Sequence, residues 1–374
     1  DSVIVGQLGT STGNSLLVAG GRLTATNASG SGVLDVRHGT LTLNNGGSIT
    51  TDKLLLTNGA GVLVFNAGTL STSSSFISNN LTAVIGNGAS SAQWNMHDGV
   101  QSLAVWLTLS SRAFVSVSTA QLSVSGMVTN TGTINFLNSV GTFNSQVVNA
   151  GAWITDLTTN TFLGTYSAAP SGYIDAAAGD VYTFQGDFIN QSTQSSAWQT
   201  LNVTPGIESG SGTKFVFDGT GLTLTQRFDT VGKLLTGGFV GTPDSLSNGV
   251  QYVSAYSDVA GFVNNFAVGE LALTNHATLL FDQAQSSLTT NALFVNDLFL
   301  AADTRLIVSD NMRVYFVNSN SWNMSQVTLL GNAEIHQLII GGVPVAVPEP
   351  TVVLMWLAGA VTIWAVRRRQ SRPV

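Results

Sequence analysis

Two short stretches constrain what this chain can fold into more than anything else in it. VTNTGTI (Val128 to Ile134) superposes on VVNAGAW (Val147 to Trp153) at a shift of 19, placing Asn130 on Asn149 and Gly132 on Gly151. Related matches lie upstream: LLVAGGRLTA (Leu16 to Ala25) aligns with LDVRHGTLTL (Leu34 to Leu43) at a shift of 18. LLLTNGAGVLVF then follows LDVRHGTLTL at a shift of 20, keeping Leu54, Leu56 and Gly59 before gaining one residue. Each unit is an apolar-x-apolar run, a turn of Asn, Gly or Thr, and a second such run. Alternation with period two buries one face of a strand, and Asn and Gly tolerate the backbone of tight corners. One such strand pair cannot cover its own apolar face, whereas stacked copies can.

Two all-β architectures satisfy this pattern. A right-handed parallel β-helix takes coils of roughly 18 to 25 residues and stacks corner Asn and Thr in ladders. A β-sandwich puts a turn about every 8 to 12 residues. The shift near 19 with corners in register favours the β-helix. The repeat weakens from Asp156 to Phe215, and Gly232 to Gly261 reads as a long loop beside the stack. Wider coils are expected from Leu271, Leu298 and Val327, spaced by 27 and 29 residues. No long amphipathic helical pattern occurs, so the expected division is a β-solenoid over 1–346 and a tail over 347–374.

Apolar residues make up 44% of the 374 and charged residues 9%, with 40 glycines, enough apolar material for a core. Of the 13 basic residues, Arg367, Arg368, Arg369 and Arg372 lie in the last eight positions, and from Pro348 onward Glu349 is the single acid; residues 1–347 carry nine basic against 19 acidic residues. Such a body attracts phosphates weakly, so nucleic acid is not an expected partner. Without cysteine the chain forms no disulfide and holds no thiolate metal site. The four histidines, His38, His97, His276 and His336, are widely separated; His38 and His276 fall at repeat corners and read as turn residues.

Carboxylates are the candidates for chemistry, because β-helical polysaccharide lyases and glycosidases gather two or three acids on one face. Asp175, Asp180 and Asp187 lie close in sequence beside Tyr173, Tyr182, Phe184 and Trp198, which have the shape to stack on sugar rings. Against a lyase, no basic residue occurs between Arg112 and Lys214. The same aspartates suit turn caps at strand ends, and the same aromatics suit a core. Ca2+ among these acids is conceivable, but neither an EF-hand loop nor a GGxGxD nonapeptide is present, and no cofactor is expected.

The tail has a different grammar. Thr351 to Val366 is an uncharged run of sixteen residues, about 24 Å long as a helix against a hydrocarbon core near 30 Å. Pro348 and Pro350 bracket Glu349 before it, and Arg367, Arg368 and Arg369 come after it, where cationic side chains snorkel or stay on the cytoplasmic side. Val-Pro-Glu-Pro, a short apolar helix and an Arg cluster together resemble the PEP-CTERM sorting domain of Gram-negative bacteria that make extracellular polysaccharide. The resemblance implies that Pro348, Glu349 and Pro350 are recognised by an exosortase, a membrane transpeptidase that removes the helix and arginines. It also implies export by the Sec translocon and transient anchoring in the inner membrane. The body more loosely resembles the passenger repeats of autotransporter adhesins, although no C-terminal β-barrel follows it. The expected function is a non-enzymatic surface or matrix protein acting in adhesion or biofilm beside exopolysaccharide; the competing expectation is a polysaccharide lyase or hydrolase using the three aspartates.

Overall fold

In the computed structural model of the chain, residues 2–10, 13–192, 212–230, 266–282, 291–320 and 322–338 are described, together with 202, 205, 210 and 262. They form a β-solenoid of about 12 coils with nearly no helix. Neighbouring coils are joined by parallel ladders, which gather into one 20-stranded and one 13-stranded sheet. The expected long loop at Gly232 to Gly261, the aromatic Trp198 and the entire tail lie outside the described residues.

The coil has one more side than the two-run unit suggested. A central coil runs through Ala113–Ser118, Gln121–Val124 and Val128–Asn130, and the next through Thr133–Leu137, Val140–Phe143 and Val147–Asn149. Each strand lies in register on its equivalent in the coil below, so the cross-section has three faces. Two faces merge into the larger sheet because Gly68–Ile77 is long enough to pair with both Ala92–His97 and Val100–Leu103.

Several sequence matches are true structural registers. Val128 pairs with Val147 and Asn130 with Asn149, Leu34 with Leu54, and Leu271 with Leu298. Two are not. Leu16 pairs with Leu41 rather than Leu34, and Val327 with Leu306 rather than Leu298. The cause is the same in both: Leu16 and Val327 belong to the 13-stranded sheet, whereas Leu34 and Leu298 belong to the other. All three faces alternate apolar and polar residues with the same period, so segments from different faces match as well as true equivalents. Nor does the coil fade after Asp156, since Phe162 pairs with Phe184 and Tyr166 with Phe188.

Inward residues stack in columns along the axis. Leu103, Val124, Phe143, Phe162, Phe184, Phe217 and Leu273 form one, each over the last. Within it Phe143, Phe162, Phe184 and Phe217 stack ring on ring at 5.2 to 5.4 Å, with interplanar angles of 12 to 28°. Parallel register places like beside like, and offset aromatic pairs each add about 0.5–1.5 kcal/mol to their burial. Toward the C-terminal end the strand Met312–Ser319 buries both faces, its outer residues Tyr315 and Val317 joining Phe262, Phe294 and Leu338 in a second apolar cluster.

Phe162 is fully buried between two stacked rings, and its neighbour Leu163 is exposed. Phe162→Ala is expected to destabilise the fold by about 3–5 kcal/mol and Leu163→Ala by no more than about 0.5 kcal/mol. Denaturant unfolding followed by circular dichroism measures both.

Candidate functional site

Corners are where this fold concentrates polar chemistry, because there the backbone leaves the ladder and its N–H and C=O groups need other partners. Asn130 and Asn149, both without solvent exposure, occupy equivalent corners. Asn130 Nδ2 donates to Asn149 Oδ1 at 2.8 Å and to the Ala152 carbonyl at 2.9 Å, and Asn130 Oδ1 accepts from the Gly132 amide at 3.0 Å. In the next coil the column position is Ala168, and the Tyr166 hydroxyl takes over, accepting from Asn149 Nδ2 at 2.9 Å. Burial pushes the Tyr166 phenol far up, so it stays neutral. Gly132 and Gly151 complete the corner: a Cβ on Gly151 would lie 2.1 Å from the Gly132 carbonyl oxygen, and only glycine allows the coils to approach so closely.

The three aspartates singled out in the sequence fall into different environments. Asp175 ends the strand Tyr173–Asp175 with an exposed side chain. Asp180 is wholly buried. Its carboxylate accepts from the Thr158 amide and the Ala177 amide at 2.7 Å each, from Thr155 Oγ1 at 2.6 Å and from Thr158 Oγ1 at 3.2 Å. Thr155 also shares a 2.5 Å hydrogen bond with the Tyr182 hydroxyl. Burial, with Asp180 adding to it, pushes the Tyr182 phenol well up. Asp187 sits one face further round, accepting the Arg227 amide at 2.8 Å. The structure therefore uses Asp180 and Asp187 as corner caps, one sealed from solvent, and no hydrogen bond joins the three. Of the accompanying aromatics, Tyr182 and Phe184 are core residues and Tyr173 is half-buried.

The same use of carboxylates recurs. Asp52 accepts the amides of Asn27 and Gly32, Asp218 that of Thr220 and Asp310 that of Asn332, at 2.7 to 3.1 Å. At Asp218 burial opposes ionisation, but hydrogen bonds from Gln185, Asn275 and Thr220 outweigh it and hold the carboxyl below its ordinary value. Glu334 is likewise lowered: burial raises it, and His336 and Arg313 more than compensate. His276, at φ +62° beside Asn275, is a turn residue as expected, paired with Asp303. Among the described residues no group of three or more His, Asp or Glu is placed to hold a metal ion, and no helix is long and apolar enough to cross a membrane.

One open groove of about 390 Å³ indents the surface, lined by Asn80 to Thr82 and by Ala104 to Trp106. Sequence reasoning passed over it, although a signal was there. In LAVWLTL the core residues Leu103, Val105, Leu107 and Leu109 alternate, which sets Trp106 facing out. The sorting motif Pro348, Glu349 and Pro350 and the arginines Arg367 to Arg369 lie outside the described residues.

Asp180→Asn places an amide N–H among four donors, so a loss of about 1–3 kcal/mol in unfolding free energy is expected. Asp175→Asn, on an exposed carboxylate, is expected to change it by no more than about 0.5 kcal/mol; thermal or urea unfolding separates the two. No family profile, no curated protein and no solved structure matches this chain.

Proposed function

We propose that the chain is an exported, rod-like surface or matrix protein of a Gram-negative bacterium, sorted through its tail. The carrying observation is the order of the last residues: Pro348-Glu349-Pro350, sixteen residues without charge, then Arg367-Arg368-Arg369. In this reading Thr351 to Val366 is the membrane helix that holds the chain in the inner membrane after Sec export. The arginines keep its end cytoplasmic. An exosortase recognises the Pro-Glu-Pro bracket and removes the helix and arginines beyond it, releasing the solenoid to the cell surface or to an exopolysaccharide matrix.

The body supports a scaffold rather than a catalyst. Of its buried aspartates, Asp52 and Asp180 accept corner amides, and Asp35 and Asp229 pair with Arg37 and Arg227. On one outer face Ser102, Ser123, Thr142, Thr161 and Thr183 succeed one another in register, a hydroxyl ladder with one rung every 4.7–4.9 Å or so. Uncharged hydroxyls at regular spacing suit contact with a hydrated polysaccharide better than with a charged polymer.

Expression in a host with its exosortase, and in the same host lacking it, tests the sorting step. Mass spectrometry of the C-terminal peptide is expected to find the residues after Pro350 only in the deletion strain, and in both strains for Glu349→Ala. Equal persistence of the wild-type peptide in both strains overturns the proposal.

A further inference from the structure

Trp94 and Trp153 are fully buried in the core, whereas Trp106 is 56% exposed. Its place results from a change in coil length. Between the inward residues Ile77 and Ala83 the chain spends five residues on the corner, and between Leu103 and Leu107, one coil on, it spends three. The longer corner therefore projects as a ledge beneath the shorter one, and the step between them is the groove. On the other side Gly126 lies against Trp106: a Cβ there would come within 2.4 Å of the indole Cδ1 and 2.6 Å of the Trp106 amide nitrogen. The indole is thus backed by the coil above and open toward the ledge.

The chemistry of the groove selects its occupant. None of its six lining residues is charged, so an anion or a cation finds no counter-charge there. Asn80 and Thr82 are exposed on the ledge, and neither side chain is engaged by a described residue. A rigid aromatic plane, flanked by a free amide and a free hydroxyl on an open, uncharged surface, matches a pyranose ring: its axial C–H face stacks on the indole and its hydroxyls meet Asn80 and Thr82. A peptide segment would require a strand edge or a deep apolar slot, and the corner offers neither. We propose that Trp106, Asn80 and Thr82 form a binding site for a neutral glycan chain. The site deepens the matrix reading above and rests on it for its biological setting, but its test does not involve the tail.

Affinity electrophoresis of the full chain in native gels, run in a polyoxyethylene detergent that carries no sugar, tests the site. Gels are cast with a neutral β-glucan, galactomannan or dextran, or with anionic alginate. Wild type is expected to be retarded by at least one neutral polymer. Trp106→Ala weakens that retardation by about tenfold or more, Trp106→Phe restores most of it, and the Asn80→Ala/Thr82→Ala double variant lies between. Circular dichroism and a thermal midpoint unchanged from wild type establish that Trp106→Ala is folded. Three results overturn the proposal: no retardation of wild type by any neutral polymer, equal retardation of Trp106→Ala and wild type, or binding confined to alginate. Loss of exosortase processing with glycan retardation intact would remove the sorting proposal and leave this site standing.

Discussion

The parallel, in-register stacking of coils is the interaction on which the rest of this structure depends. Within the strands, backbone groups pair with the coil above or below, so each strand side chain sits on its counterpart one rung away. That rule turns individual residues into columns. Rings stack on rings from Phe143 to Phe217, and the Asn130 amide finds the Asn149 amide. It also makes column errors costly. Where Ala168 breaks the asparagine series, a tyrosine hydroxyl from the same strand must supply the missing acceptor. Gly132 and Gly151 are fixed for the same reason, since the corner of one coil rests on the backbone of the next.

This rule governs what the sequence revealed and what it concealed. Where consecutive coils keep the same length, residue spacing equals register, and Val128 on Val147 was legible directly. Where a corner changes length, the spacing no longer reports which face a segment belongs to. Leu16 and Leu34 share a pattern and yet lie in different sheets, as do Leu298 and Val327. The third face was concealed likewise, because the matched unit VTNTGTI spans two faces, Val128–Asn130 and the start of Thr133–Leu137, and leaves the strand Val140–Phe143 outside it.

The candidate sites show the same division. An aspartate beside a strand end carries one sequence signature whether it binds a sugar or caps a corner, and only burial and donors distinguish them. Asp180 proves to be sealed beneath Thr155, Thr158 and Ala177, while Asp175, five residues away, faces solvent. Trp106 had its signal in the alternation of LAVWLTL, but the groove beside it arises from unequal corners in two coils, a relation no local pattern contains. The proposed site therefore lies at an exception to the stack, where corners of unequal length leave an indole outside.

Spin-label distances along the outer hydroxyl column test the in-register stack most directly. The chain has no cysteine, so labels enter only where cysteines are introduced. Ser102 and Thr183 lie four rungs apart and Phe76 and Thr183 five, which predicts backbone separations of about 19 and 24 Å. Double electron–electron resonance on the two pairs should show narrow distributions whose centres differ by about one rung, near 4.8 Å. Broad distributions, or a shorter distance for the five-rung pair than for the four-rung pair, would contradict the stack and every column built on it.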